Sequence, residues 1–190
     1  MSATTTKLST KEQILRSGLR FLRKTSYNSF SFGDIAAELG IKKSSIHYYF
    51  PTKEDLGVAL VQYYHELIKK YISRVDEHLP ATEKVQLFIE FFKIGLEKNY
   101  LCPAGVLSVE IFTLPQEMRR EMNLLYEYYQ NWLVGICKQG LVNGDFTFEG
   151  TAETMAFHIS SAIEGAAAFA RAYGNTELFN ESLDLLIKQL

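Results

Sequence analysis

The chain has 190 residues, 47% of them hydrophobic and 13% aromatic, and a formal net charge of −2. This composition is that of a folded globular protein able to bury a core, and it excludes a disordered chain. No apolar run is long enough to cross a bilayer and the N-terminal stretch MSATTTKLSTK has no apolar signal core. Only two cysteines occur, Cys102 and Cys137, too few for a disulfide framework or a zinc site, so a reducing cytoplasm is the expected setting.

The net charge conceals a split. Up to Lys53 nine Lys and Arg face three Asp and Glu, so +6; the remainder has eleven against nineteen, so −8. A basic front on an acidic rear suits a small nucleic-acid-contacting head on a body that must not adhere to the same polyanion.

In chain order, residues 1–9 read as a disordered tail. Thr10 and Gln13 form a capping box, and Ile14, Leu15, Leu19 and Leu22 then share one helical face. Arg16, Arg20 and Arg23 fall on the opposite, solvated side. The next stretch, SFGDIAAELGIKKSSIHYYFPTK from Ser31 to Lys53, predicts two short helices around a tight turn. Ser31 with Asp34 is a capping pair, Ile35, Ala36 and Leu39 recur at helical spacing, and Gly40 stands where a left-handed residue ends the helix. The second helix buries Ile46 and Phe50. Its other face carries Lys42, Lys43, Ser44, Ser45, His47, Tyr48 and Tyr49.

That outer face suits a duplex. Small hydroxyls permit close approach, lysines neutralise phosphate, and tyrosines contact a thymine methyl or donate to phosphate oxygen. Small turn, buried seam and short outward-polar second helix together predict a helix-turn-helix, with Tyr27, Ser31 and Lys53 as phosphate contacts. An ordinary helical hairpin is the plain alternative.

Pro51 interrupts this helix, and Thr52 with Asp55 caps the next. There Leu56, Leu60, Tyr63, Leu67 and Tyr71 keep helical spacing to about Asp76, some 25 residues spanning ~37 Å at roughly 1.5 Å each. Further helices are predicted over Thr82–Lys98, from Pro115 to Asn143-Gly144, over Thr151–Tyr173 and from Thr176 onward, with the irregular segment NYLCPAGVLSVEIF between the first two. No strand alternation or repeat occurs. The predicted fold is all-α: a three-helix head over residues 10–53, joined by a long helix to a helical ligand-binding and dimerisation body over 54–190.

The run IAAELGIKKSSIHYYFPTKEDL resembles the signature of the TetR/AcrR regulators, and the likeness extends upstream through Ile14, Leu15, Leu19 and Leu22. Gly18 stands where that family usually has Ala, and Ser26 where it usually has Gly. The resemblance implies a sequence-specific regulator of transcription, a repressor by analogy, that binds an operator as a homodimer, needs no cofactor and leaves it when a small molecule binds. Such regulators dimerise through their last two helices. Here the small-residue run SSAIEGAAAFARA, with Ile163 and Ala167, and the stripe of Phe179, Leu183 and Leu186 are the expected interface.

The expected effector residues are Phe88, Phe92, Tyr128, Tyr129, Trp132 and Phe157, with His158 and Ser161 as polar handles. Cys102, before Pro103 and a short helix whose amides favour a thiolate, resembles the cysteine of family members that sense electrophiles and oxidants. Cys137 reads as packing. Two alternatives stay open: a transcriptional activator, and a helical small-molecule-binding protein without DNA binding. An enzyme does not fit, because no metal motif, phosphate-cradling glycine loop or nucleophile elbow occurs and the four histidines are scattered.

Overall fold

Ser9 opens the first helix by accepting the Glu12 amide at 3.2 Å, so that α1 spans Thr10–Thr25 in the computed structural model, which describes residues 8–190. The cap thus lies one residue before the predicted box, and Gln13 instead donates from Nε2 to the Leu8 carbonyl at 3.0 Å. The predicted tail falls outside the described residues as far as residue 7; Leu8 and Ser9 belong to the helix start. α2 spans Phe32–Leu39 and α3 spans Lys43–Tyr49. Both halves of the Ser31–Asp34 capping box form, and Gly40 ends α2 at φ 65°, where a side chain would be strained. Ile14, Leu22, Ile35, Ile46, Phe50 and Leu56 close the core of the head. Gly18 lies in this core. A Cβ there would meet Leu60 at 3.1 Å, so glycine is what lets α1 approach the fourth helix.

That helix, α4, spans Lys53–Ile72 with the predicted Thr52–Asp55 box at its start. Its 20 residues extend about 30 Å, shorter than expected. The buried face also differs. The pattern points to Tyr63, Leu67 and Tyr71, whereas Val61, Tyr64, Ile68 and Ile72 are buried and Leu67 is exposed. Apolar residues occur here in adjacent pairs, which draw two neighbouring stripes on one helix, and packing selects the second.

The body continues with α5 (Ala81–Leu96), α6 (Pro103–Ser108), a 3-10 turn over Ile111–Thr113, α7 (Gln116–Asn143), α8 (Ala152–Tyr173) and α9 (Glu177–Lys188). α7 is the central element, packed on α4, α5 and α8, while α8 also carries α9. The predicted ends of α7 and α8 hold: Gly144 and Gly174 are both left-handed. Among the described residues there is no strand, and no helix is long and apolar enough to cross a membrane.

Head and body are bonded at the C-terminal end of α1. Glu110, just after α6, accepts from Ser26 Oγ at 2.9 Å, the Tyr27 amide at 3.0 Å and Asn28 Nδ2 at 3.1 Å. Ser26 sits at φ 89°, ψ 169°, a region that glycine enters easily and other residues do not. The three bonds to one carboxylate hold it there. Arg171 of α8 donates to the carbonyls of Arg23 and Lys24, Arg23 Nε donates to the Leu101 carbonyl at 2.8 Å, and the Leu101 amide returns a bond to the Arg23 carbonyl at 3.2 Å. Carbonyls that a helix end leaves unpaired are thereby satisfied from two body elements.

Candidate functional site

α3 is positioned by a single anchor. Ile46 is fully buried and Phe50 nearly so, which turns Lys42, Lys43, Ser44, His47, Tyr48 and Tyr49 outward and leaves Ser45 half-buried. Tyr48 is 82% exposed and meets Tyr49 edge-on at 5.0 Å. His47 is steadied from behind, its ring edge-on to Phe32 at 4.8 Å and its Nδ1 3.2 Å from the Pro51 carbonyl. None of these exposed side chains is ion-paired among the described residues, so the face offers lysine charge, hydroxyls and phenols to an external partner.

The three flanking residues differ from one another. Ser31 is exposed, but its hydroxyl is committed to the cap: it accepts from the Gly33 amide at 3.1 Å and donates to Asp34 at 2.7 Å, which holds that carboxyl below its ordinary range. Lys53 lays its Nζ over the rings of Tyr27 at 4.7 Å and Phe30 at 5.2 Å. Partial burial pulls its pKa down, against the opposing pull of Glu110 and Asp34. Tyr27 does not have the outward position that a phosphate contact needs. It is only 5% exposed and packs edge-on to Phe30, and burial first, then Glu54 and Glu110, push its phenol up to about 12. Tyrosine is as good a core residue as a surface one, and here it fills the head.

In the body the expected effector residues fall in three settings. Phe88, Phe92 and Tyr129 are buried, and Phe88 meets Phe92, Tyr129 and Trp132 at centroid distances of 5.1, 5.8 and 5.4 Å. This is closed packing. Tyr128 is half-buried beside His65, at 5.1 Å. Phe157, His158 and Ser161 lie on the outer side of α8, exposed. Cavities open beside some of these residues. One of about 410 Å³ lies between α6, α7 and α8 and takes in Tyr129, Phe157 and Ser161, together with Tyr126 and Glu164, and a second, of about 390 Å³, shares Glu164 and reaches Arg171. Glu164 Oε1 is buried and has no hydrogen-bond partner among the described residues, and burial pushes this carboxyl up to about 7, although the Cys102 thiol and Arg23 pull the other way.

The same neighbourhood does not favour the thiolate that the sensor reading of Cys102 needs. The residue is 2% exposed, and burial followed by the Glu164 carboxylate drives its thiol pKa well up. The Ala104 and Gly105 amides at the start of α6 do pull downward, as the sequence suggests, but they are outweighed. A buried thiol facing a carboxylate is a poor thiolate and a poor nucleophile.

The expected dimer residues are also core residues. Ile163, Ala167, Phe179, Leu183 and Leu186 are all buried within the one chain, between α8, α9 and the helices beneath them. What α8 and α9 expose is a different apolar set: Phe157, Phe169, Tyr173, Leu178 and Leu185. Sequence reasoning also missed Glu110 and the inward turn of Arg23 and Arg171. Arg23 follows Arg16 and Arg20 at helical spacing, and nothing local marks the last of the three as the one that faces the body.

The fold and its basic helix-turn-helix face have counterparts among known proteins. Residues 14–60 match the family model for bacterial regulatory proteins of the tetR family. The transcriptional regulator AcuR of Cereibacter sphaeroides is 22% identical over 165 residues, covering 84% of this chain and 75% of its own. A TetR transcriptional regulator from Legionella pneumophila, known by crystal structure, superposes with a TM-score of 0.88 at 29% identity over 98% of this chain and all of the other. A TetR-family regulator from Agrobacterium tumefaciens superposes with a TM-score of 0.89 at 26% identity, covering 94% and 96% of the two chains.

Proposed function

Because the chain belongs to the TetR family of transcriptional regulators, DNA-binding proteins and not enzymes, we propose that it acts as a homodimeric repressor which grips a near-palindromic operator and leaves it when a small molecule binds the body. The observation that carries this reading is the outer face of α3, where two lysines, two serines, a histidine and two tyrosines surround one buried isoleucine. On that reading Lys43 and Tyr48 contact base edges, Lys42, Ser44, Ser45, His47 and Tyr49 line the groove, and Ser31 and Lys53 sit by phosphates.

Dimerisation is supported by the apolar side chains that α8 and α9 leave in solvent. Phe157, Phe169, Tyr173, Leu178 and Leu185 are exposed on two adjacent helices, apolar area of the kind a symmetric four-helix contact covers. A two-fold dimer sets its recognition helices about one duplex turn apart, roughly 34 Å, and so reads two inverted half-sites. Release follows if the ligand favours a body conformation in which the bonds at the end of α1 hold the heads at another spacing.

Fluorescence anisotropy on the DNA upstream of the protein's own gene tests this. Wild type should prefer that fragment to a scrambled one at least about 100-fold at moderate salt. Lys43→Ala or Tyr48→Ala should erase about tenfold or more of the preference, whereas Lys53→Ala should weaken binding to both fragments and reduce the salt slope by about one. Equal affinity for both fragments, unchanged in the α3 variants, would overturn the assignment.

A further inference from the structure

We propose that the groove between α4 and α5 is the effector site and that its ligand is an amphipathic organic anion, an acid group on an aliphatic or aromatic body. The proposal rests on the effector-released repressor reading only for its regulatory consequence; the binding site stands on its own geometry.

The groove encloses about 490 Å³, within the range of small-molecule sites. Four cations converge on it: Arg23 from α1, Lys70 from α4, Arg74 just past its end, and Lys98 just past α5. No Asp or Glu lines it, and none of the four is ion-paired among the described residues. The surrounding body makes this unusual. Residues 54–190 carry eleven basic and nineteen acidic side chains, so an average patch of this surface is negative. A local excess of positive charge inside an acidic body focuses an anion to that point.

The walls specify the remainder of the ligand. Tyr71 of α4 and Phe91 of α5, whose rings meet at 4.7 Å, line it together with Tyr100, and Leu67 and Ile94 are exposed there. These surfaces suit an apolar body, and the two exposed apolar residues would be covered by it. No residue of α8 or α9 lines the groove, so a dimer formed through those helices leaves it open.

Arg23 connects the groove to the head. It belongs to α1, yet its guanidinium lies 5.3 Å from the Tyr64 ring centre and 5.4 Å from that of Tyr100, and its Nε donates to the Leu101 carbonyl. It acts on Glu164 electrostatically without pairing to it. An anion in the groove offers Arg23 the carboxylate partner it lacks and competes with the Leu101 carbonyl, which loosens the junction between α1 and the body.

Calorimetry with the full chain and three probes of matched tail tests the site. Decanoate should bind at least about tenfold more tightly than decanol or decyltrimethylammonium. The double variant Lys70→Glu/Arg74→Glu should lose at least about tenfold of decanoate affinity, and Lys98→Glu, on the opposite wall, should lose affinity in the same direction if the double variant folds poorly. Lys69→Glu is the control: that lysine is paired to Glu66 at 2.8 Å and does not line the groove, so its affinity should stay within about threefold of wild type. Equal binding of the three probes, absence of decanoate binding, or indifference to charge reversal at Lys70, Arg74 and Lys98 overturns the proposal. Anisotropy on the upstream DNA separates the two layers. Loss of DNA affinity on adding decanoate, abolished in the double variant, supports the groove as the effector site; decanoate binding that leaves DNA affinity unchanged rejects that regulatory role, and an absence of DNA binding from the outset rejects the repressor reading instead.

Discussion

Head and body are made of the same kind of helix, yet their side chains are oriented by different rules. In α3 one isoleucine is buried and every other position is polar or aromatic, so the helix has a single way to face the core. In α4 and α8 apolar residues stand side by side, and the helix has several. α8 resolves the choice against simple hydrophobicity: Ala152, Ala156, Ala167 and Ala170 face inward while Phe157, Phe169 and Tyr173 face out. α7 and α9 both pack on this helix, and alanine permits the close approach that phenylalanine would prevent. The apolar residues that look most core-like are therefore left for another surface.

The largest effect that would sharpen this contrast is on α9. Phe179→Ala should cost about 3–5 kcal/mol of stability, because it empties a fully buried aromatic site. Phe169→Ala, at a position 68% exposed, should leave monomer stability within about 0.5 kcal/mol and weaken self-association. Urea denaturation and sedimentation velocity on the two variants read both quantities, and a large stability loss for Phe169→Ala would erase the distinction between the faces.

Glu164 comes next. Its carboxyl, raised from 4.5 to about 7, keeps its proton in the folded chain where the unfolded chain has lost it. Stability therefore falls as pH rises from 4.5 to about 7 and is level above that window. Glu164→Gln should gain up to about 3 kcal/mol at pH 8 and nothing below pH 4.5. Chemical denaturation at those two pH values would contradict the burial argument if the gain were equal at both.

A smaller loss is expected at the junction. Glu110→Ala removes the acceptor for Ser26, Tyr27 and Asn28 and should cost about 2 kcal/mol, with faster amide exchange confined to the turn between α1 and α2. Exchange spread evenly over the head would mean that the turn is held by something else.

The all-helical class, the division into basic head and acidic body, and the ends of α2, α7 and α8 were legible in the sequence. They depend on neighbours along the chain: a capping hydroxyl and its acid three residues on, a left-handed glycine, the spacing of apolar residues. The outward face of α3 was legible for the same reason, since one anchor fixes the helix's rotation. Tyr27 was not, because a tyrosine beside a turn fits a core as well as it fits a phosphate, and only the packing of Phe30 and Lys53 decides which.

The tertiary structure alone decided the rest. Which of three arginines on α1 turns inward depends on Leu101, Tyr64 and Tyr100, residues 41 or more positions away in the chain that no local pattern brings near. The chemistry of Cys102 depended on its burial and then on Glu164, which together outweigh the two amides that the local sequence supplies. Helical period is a property of one segment, whereas rotational phase, cavity charge and thiol acidity are properties of what surrounds it, and these exist only once the helices have packed.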